Sequence, residues 1–192
     1  MRSEFRPALL SLALFTILTG AIYPAVVTGL AQLAFRHQAQ GSLIRDDGKP
    51  LGSELIGQPF DDPKYFWSRP SATTPVYNGE ASGASNLGPR NRALIEAIAS
   101  RAANLRRADP SASGPIPVDL VTGSGSGLDP HITPAAAAFQ ANRVARARAL
   151  HPEQIQELIR RYTEGRQLGF LGEPRVNVLR LNLALDSLTS TP

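Results

Sequence analysis

The sequence predicts one N-terminal transmembrane helix followed by a single soluble domain of mixed α/β (α+β) type. Three observations predict this. No charged residue lies between Arg6 and Arg36. The roughly 155 residues that follow are mixed polar and apolar, enough for one core without covalent staples. Within them, helical stripes alternate with short β-rich runs bounded by Gly, Pro and Asp. The expected division is residues 1–35 as tail and span and residues 36–192 as the soluble domain.

The apolar run at 7–35 would extend about 43 Å as a helix, against a hydrocarbon core of about 30 Å. A helix also satisfies its own backbone groups in lipid. Pro24 should kink it, and Tyr23 suits a membrane interface. A cleaved signal peptide is the competing reading, with Thr19-Gly20-Ala21 as its cleavage point. The apolar run continues well past that point, so a retained anchor is expected. Arg2, Arg6 and the α-amine on one flank balance Arg36, Arg45 and Lys49 on the other, which leaves orientation open. Ala21, Ala25 and Gly29 form a small-residue face against which another helix can pack.

In the soluble part, residues 41–44 read as a strand, followed by a polar turn at 46–49. Residues 54–58 and 65–67 are extended candidates. A long polar loop covers 69–89. A helix is expected from Pro89, with Leu94, Ile98, Ala102 and Leu105 as its apolar stripe. Residues 108–117 form a loop tip, and 118–122 read as a strand opening into the glycine-rich run 123–127. Thr133 caps a helix with Pro134 at its first position, continuing to about Ala149. His151-Pro152 opens another, with Ile155, Leu158, Ile159 and Tyr162 as its stripe and Gly165 as its end. Residues 175–181 look like the best strand, and 182–186 close the domain.

Composition excludes several kinds of chemistry. There is no cysteine, hence no disulfide and no thiolate metal site. The formal charge of +4 is carried almost wholly by arginine on Ala- and Leu-bearing helices. That pattern is a solvated helix face, not the basic stripe with interleaved aromatics that nucleic acid requires. His37, His131 and His151 have no partners at metal-ligand spacing.

The loop Gly123-Ser124-Gly125-Ser126-Gly127 has the glycine content of a phosphate-binding loop without its pattern. It lacks the lysine of a Walker A loop and the Gly-x-Gly-x-x-Gly spacing of a dinucleotide fold. A tight turn needing positive φ and an anion nest of backbone amides remain as its two readings. Ser124 and Ser126 with His131 would make a hydrolase site, but neither serine lies in a Gly-x-Ser-x-Gly elbow.

Several blocks together carry a resemblance: Tyr23-Pro24-Ala25-Val26-Val27-Thr28-Gly29, Gly41-Ser42-Leu43, Gly52-Ser53-Glu54-Leu55-Ile56-Gly57-Gln58 and Tyr65-Phe66-Trp67-Ser68-Arg69-Pro70-Ser71-Ala72. They continue with the 81–89 loop, the stretch from Asp119 through Gly127 to Ile132, and Gly172-Glu173-Pro174-Arg175-Val176-Asn177-Val178-Leu179. In this order and over about residues 20–186 the chain resembles the C subunit of the Kdp potassium-transporting ATPase, departing only in a lengthened stretch near 106–114. The resemblance implies an accessory, non-catalytic subunit of an inner-membrane complex that imports potassium at the expense of ATP. Implied partners are the catalytic ATPase subunit, a potassium-channel-like subunit and a small single-span subunit, besides the lipid bilayer; no nucleic acid is implied. It also implies a catalytic chaperone that raises the pump's ATP affinity, with a cytoplasmic N-terminus and an extracytoplasmic domain. Such a domain lies across the membrane from the nucleotide, so indirect coupling through helix packing is the expected route. No cofactor of its own is implied, only ATP shared with the pump subunit; Gln140 with Ser124, Gly125, Ser126 and Gly127 are the implied nucleotide residues. An anchored hydrolase and a solute-binding module stand as alternatives.

Overall fold

A computed structural model of the chain describes residues 2–189; the α-amine counted above lies outside them. The chain divides into two compact units, Met1–Leu43 and Ile44–Pro192.

The first unit is a helical rod. Helix α1 (Arg2–Ile17) passes through a π-helical turn (Leu18–Ile22) into α2 (Tyr23–Ala34). Its apolar stretch Glu4–Ala34 is 31 residues long, long and apolar enough to cross a membrane. Proline has no N–H, and its ring crowds the carbonyl four residues back. The helix absorbs Pro24 by widening one turn: the Tyr23 N–H bonds to the Leu18 carbonyl, five residues back. The expected kink thus takes the form of a π turn. Ala21, Ala25 and Gly29 are exposed, and a Cβ added at Gly29 would meet nothing within 4 Å. A short helix α3 (Arg36–Ala39) follows.

The second unit opens with a hairpin, β1 (Leu43–Asp46) and β2 (Lys49–Ser53). Asp47 and Gly48, with φ of 45° and 77°, have the two left-handed residues of a type I′ turn. Gly41 and Ser42 also have positive φ, so the first strand starts two residues later than expected and β2 is an addition. Residues 54–56 turn instead of extending. Helix α4 (Arg92–Ala108) starts after Pro89, because the Asn91 side chain caps it by accepting from the Ala93 N–H at 2.9 Å. Its predicted stripe faces inward, ending in buried Leu105.

Residues 118–122 are not a strand; Val118–Leu120 is a 3₁₀ turn. Its buried Asp119 accepts from the Thr133 N–H at 2.7 Å, tying the turn to the start of the next helix. Helices α5 (Pro134–Arg148) and α6 (Pro152–Arg161) begin where Thr133 and His151 place them. Helix α6 stops short of Gly165, giving way to β4 (Thr163–Glu164). A small antiparallel sheet runs in the order β3 (His131–Ile132), β5 (Arg175–Asn177), β4.

The largest departure is at the C-terminal end. Leu179, Leu181, Leu183 and Leu185 alternate as a strand would, yet Val178–Thr189 is helix α7. Asn177 caps it, accepting from the Arg180 N–H at 3.1 Å. Val178, Leu181, Asn182 and Leu185 then fall on one buried helical face. The core lies where α7, α6, the sheet and α5 meet. Five small α5 residues, Ala136, Ala137, Ala141, Val144 and Ala145, are buried there and permit close packing.

Candidate functional site

The segment 65–67 is not a strand as its residue types suggest: Tyr65 lies in a bend, Phe66 and Trp67 take no regular structure, and no strand among the described residues pairs with them. Two buried side-chain amides take that place. Phe66 N–H donates to Asn182 Oδ1 at 2.8 Å, and Asn182 Nδ2 donates to the Phe66 carbonyl at 2.9 Å. One residue on, Trp67 N–H donates to Gln140 Oε1 at 2.8 Å, and Gln140 Nε2 returns to the Trp67 carbonyl at 3.2 Å. Each amide reproduces the reciprocal N–H and C=O pair of a neighbouring strand. Gln140 is 1% exposed, and its remaining capacity is also taken. Its Oε1 accepts from Arg143 Nη2 at 2.6 Å, while Nε2 donates to the Ala136 carbonyl at 3.3 Å. Arg143 lies over the Trp67 ring, 4.1 Å from its centroid. Burial draws its guanidinium down to about 10, still cationic at neutral pH.

The glycine-rich loop is the second predicted part. Its Gly127 N–H and its Gly123, Ser126 and Gly127 carbonyls are engaged within the protein. Ser124 Oγ accepts from the Gly127 N–H at 2.9 Å, and Ser126 Oγ from the Leu128 N–H at 3.1 Å. The long 69–89 loop clasps it from outside. Ser71 Oγ donates to the Gly127 carbonyl at 2.7 Å, Gly83 N–H to the Ser126 carbonyl at 2.8 Å, and Arg69 Nη2 to the Gly123 carbonyl at 3.3 Å. Gly127 is the one of its glycines with positive φ, +70°. Gly125 is exposed at the tip. Among the described residues no hydrogen bond joins Gln140 to this loop. They are linked through the chain itself, since Gln140 holds Trp67 and Arg69 holds the loop.

Arg69 also joins the third element. Its Nη1 bonds Asp129 Oδ2 at 3.0 Å, and Asp129 Oδ1 accepts from the His131 N–H at 3.0 Å with His131 Nδ1 at 3.4 Å. Burial pushes the Asp129 carboxyl upward, but the bonds from His131 and the Arg69 charge outweigh it and hold it below 3.8. Stability from a depressed carboxyl is complete above its unfolded value and is lost as pH falls through the folded one. Asp129→Asn should therefore lower stability at neutral pH and flatten its fall below about pH 4, as read from urea midpoints across an acid series.

Among the described residues, no serine is hydrogen-bonded to His131, and no group of three or more His, Asp or Glu could hold a metal ion. The hydrolase arrangement, which needs a nucleophile within reach of its base, therefore finds no geometric support. Sequence reasoning reached Gln140 and the glycine loop but missed Asn182 and Arg143. Their signal is a polar residue on an otherwise apolar helix stripe, in α7 and α5.

An exposed N-terminal helix long and apolar enough to cross a membrane, followed by an α+β domain, fits the class of membrane proteins with one span. The family described as the K+-transporting ATPase, c chain (KdpC), matches residues 5–187, and the chain belongs to that family. It is 65% identical to the potassium-transporting ATPase KdpC subunit of Methylococcus capsulatus, over 98% of this chain and 100% of the relative. Its counterpart from Sorangium cellulosum is 61% identical, over 97% of this chain and 98% of the relative. That from Herpetosiphon aurantiacus is 59% identical, over 99% of each.

Proposed function

We propose that this chain is an accessory, non-catalytic subunit of an ATP-driven potassium import complex, where it stabilises assembly and raises the ATP affinity of the pump subunit. The observation that carries this is similarity along the whole chain, span and domain alike, to subunits so named. Its partners are the catalytic ATPase subunit, the potassium-channel-like subunit and a small single-span subunit. The small-residue face at Ala21, Ala25 and Gly29 offers their helices a close approach. The N-terminus is cytoplasmic and the domain extracytoplasmic.

In this reading ATP belongs to the pump subunit, and the effect on its affinity passes through helix packing and conformational populations. Gln140, Ser126 and Gly127 influence that affinity by keeping the domain in shape, since Gln140 holds Trp67 and the Ser126 and Gly127 carbonyls hold the 69–89 loop, while Ser124 ties its own turn through the Gly127 N–H and Gly125 stands at the exposed tip.

The test is the ATP dependence of the potassium-stimulated ATPase, measured on complexes purified with and without this chain. Its removal should raise the KM for ATP several-fold or dissociate the other subunits. Unchanged KM in an intact remaining complex would refute the proposal.

A further inference from the structure

A cavity of about 500 Å³ opens between α4 and the segment 59–77. Its size falls in the range of specific binding sites, about 300–1,000 Å³. Phe60, Trp67, Tyr77 and Leu105 give it aromatic and aliphatic walls; Arg101 and Asn104 line it from α4, and Asp61 borders it as well. The hydroxyls at the cavity are turned to the protein's own carbonyls: Ser68 to Gln58, Ser71 to Gly127 and Tyr77 to Arg69. Arg101 is different. Its Nη1 bonds the Val121 carbonyl at 2.9 Å, and no carboxylate among the described residues pairs with it. A guanidinium without a carboxylate beside aromatic walls matches a carboxylate carried next to an apolar side chain.

We infer that this cavity is a docking socket for an acidic segment of a partner protein, with an apolar side chain between Phe60, Trp67 and Tyr77 and a neighbouring carboxylate on Arg101. Charge complementarity selects the occupant. The lining presents both a cation, Arg101, and a carboxylate, Asp61; a polypeptide supplies counterparts to both, a side-chain carboxylate and backbone N–H donors, whereas a phosphate supplies only the first. The inference rests on the reading that the chain works beside other subunits, and it names one face on which they meet.

The experiment places a photo-crosslinking amino acid at position 104 of the full chain, irradiates the complex in its native membrane and sequences the joined peptide. The expected adduct is a protein segment with Asp or Glu adjacent, or nearly so, to Leu, Ile, Phe, Tyr or Trp. Arg101→Glu should cut its yield about tenfold, roughly 1.4 kcal/mol in binding. Val76→Trp, which fills the cavity from a half-exposed wall and disturbs no recorded hydrogen bond, should do the same. Arg92→Glu makes the same charge change on exposed α4 surface and should leave the yield intact. An adduct to lipid, a yield indifferent to both socket variants, or no adduct in a complex that still co-purifies would overturn the socket while leaving the proposed function standing. Failure of the subunits to co-purify at all would instead remove the proposed function.

Discussion

Gln140→Ala is expected to destabilise the domain by about 3 kcal/mol, because it leaves the partly buried N–H and C=O of Trp67 without partners. It also strips Arg143 of the acceptor at 2.6 Å, leaving a buried guanidinium less well paired. Gln140→Glu should fall between. Its carboxylate still accepts from Trp67 and Arg143, but it cannot donate to the Trp67 and Ala136 carbonyls. Trp67 is the only tryptophan in the chain, so its emission reports the braced segment directly during urea denaturation of the full protein in detergent. A loss below about 1 kcal/mol would mean that the amide does not hold Trp67. The same variant separates two roles for this glutamine. A residue that touches nucleotide would change the KM for ATP without moving the urea midpoint; a brace moves the midpoint first.

What the sequence made legible follows local chemistry. Thr133-Pro134 and His151-Pro152 each combine an N-cap position with a proline at the first helical position, so both helix starts were readable from a few neighbouring residues. The hairpin turn at Asp47-Gly48 was local in the same way. The misread segments depend on partners distant in sequence. Residues 65–67 have the composition of a strand, but what pairs with them lies on α5 and α7, 73 and 116 residues away. Residues 178–181 alternate like a strand, and the helix prevails because Asn177 caps it and one helical face of α7 meets the core. The candidate site shows the same division. The resemblance pointed to Gln140, whereas Asn182 and Arg143 gain meaning only once the 65–67 segment is known to run beside them.

Gly127→Ala is the second large effect expected, and Gly125→Ala two residues away should be nearly silent. At Gly127 the backbone has φ +70°, and an added Cβ would stand 2.6 Å from the Gly83 carbonyl oxygen and 2.7 Å from Thr73 Cγ2. The left-handed conformation alone costs a non-glycine residue about 1 kcal/mol. The collision adds more, because Gly83 is pinned by its own N–H to the Ser126 carbonyl at 2.8 Å and cannot step aside without releasing the loop. A total near 3 kcal/mol is expected, on the scale of other strained or overpacked substitutions. Faster proteolysis within residues 69–89 should accompany it, as the clasp on the glycine loop opens. At Gly125 an added Cβ meets nothing within 4 Å. The pair therefore discriminates between the two readings of the loop. An anion held by backbone amides at the exposed tip would be disturbed at Gly125, and ATP affinity of the complex would fall while the fold stayed intact. A tight turn serving the clasp is damaged at Gly127 alone, and any change in ATP affinity then follows the loss of folded domain.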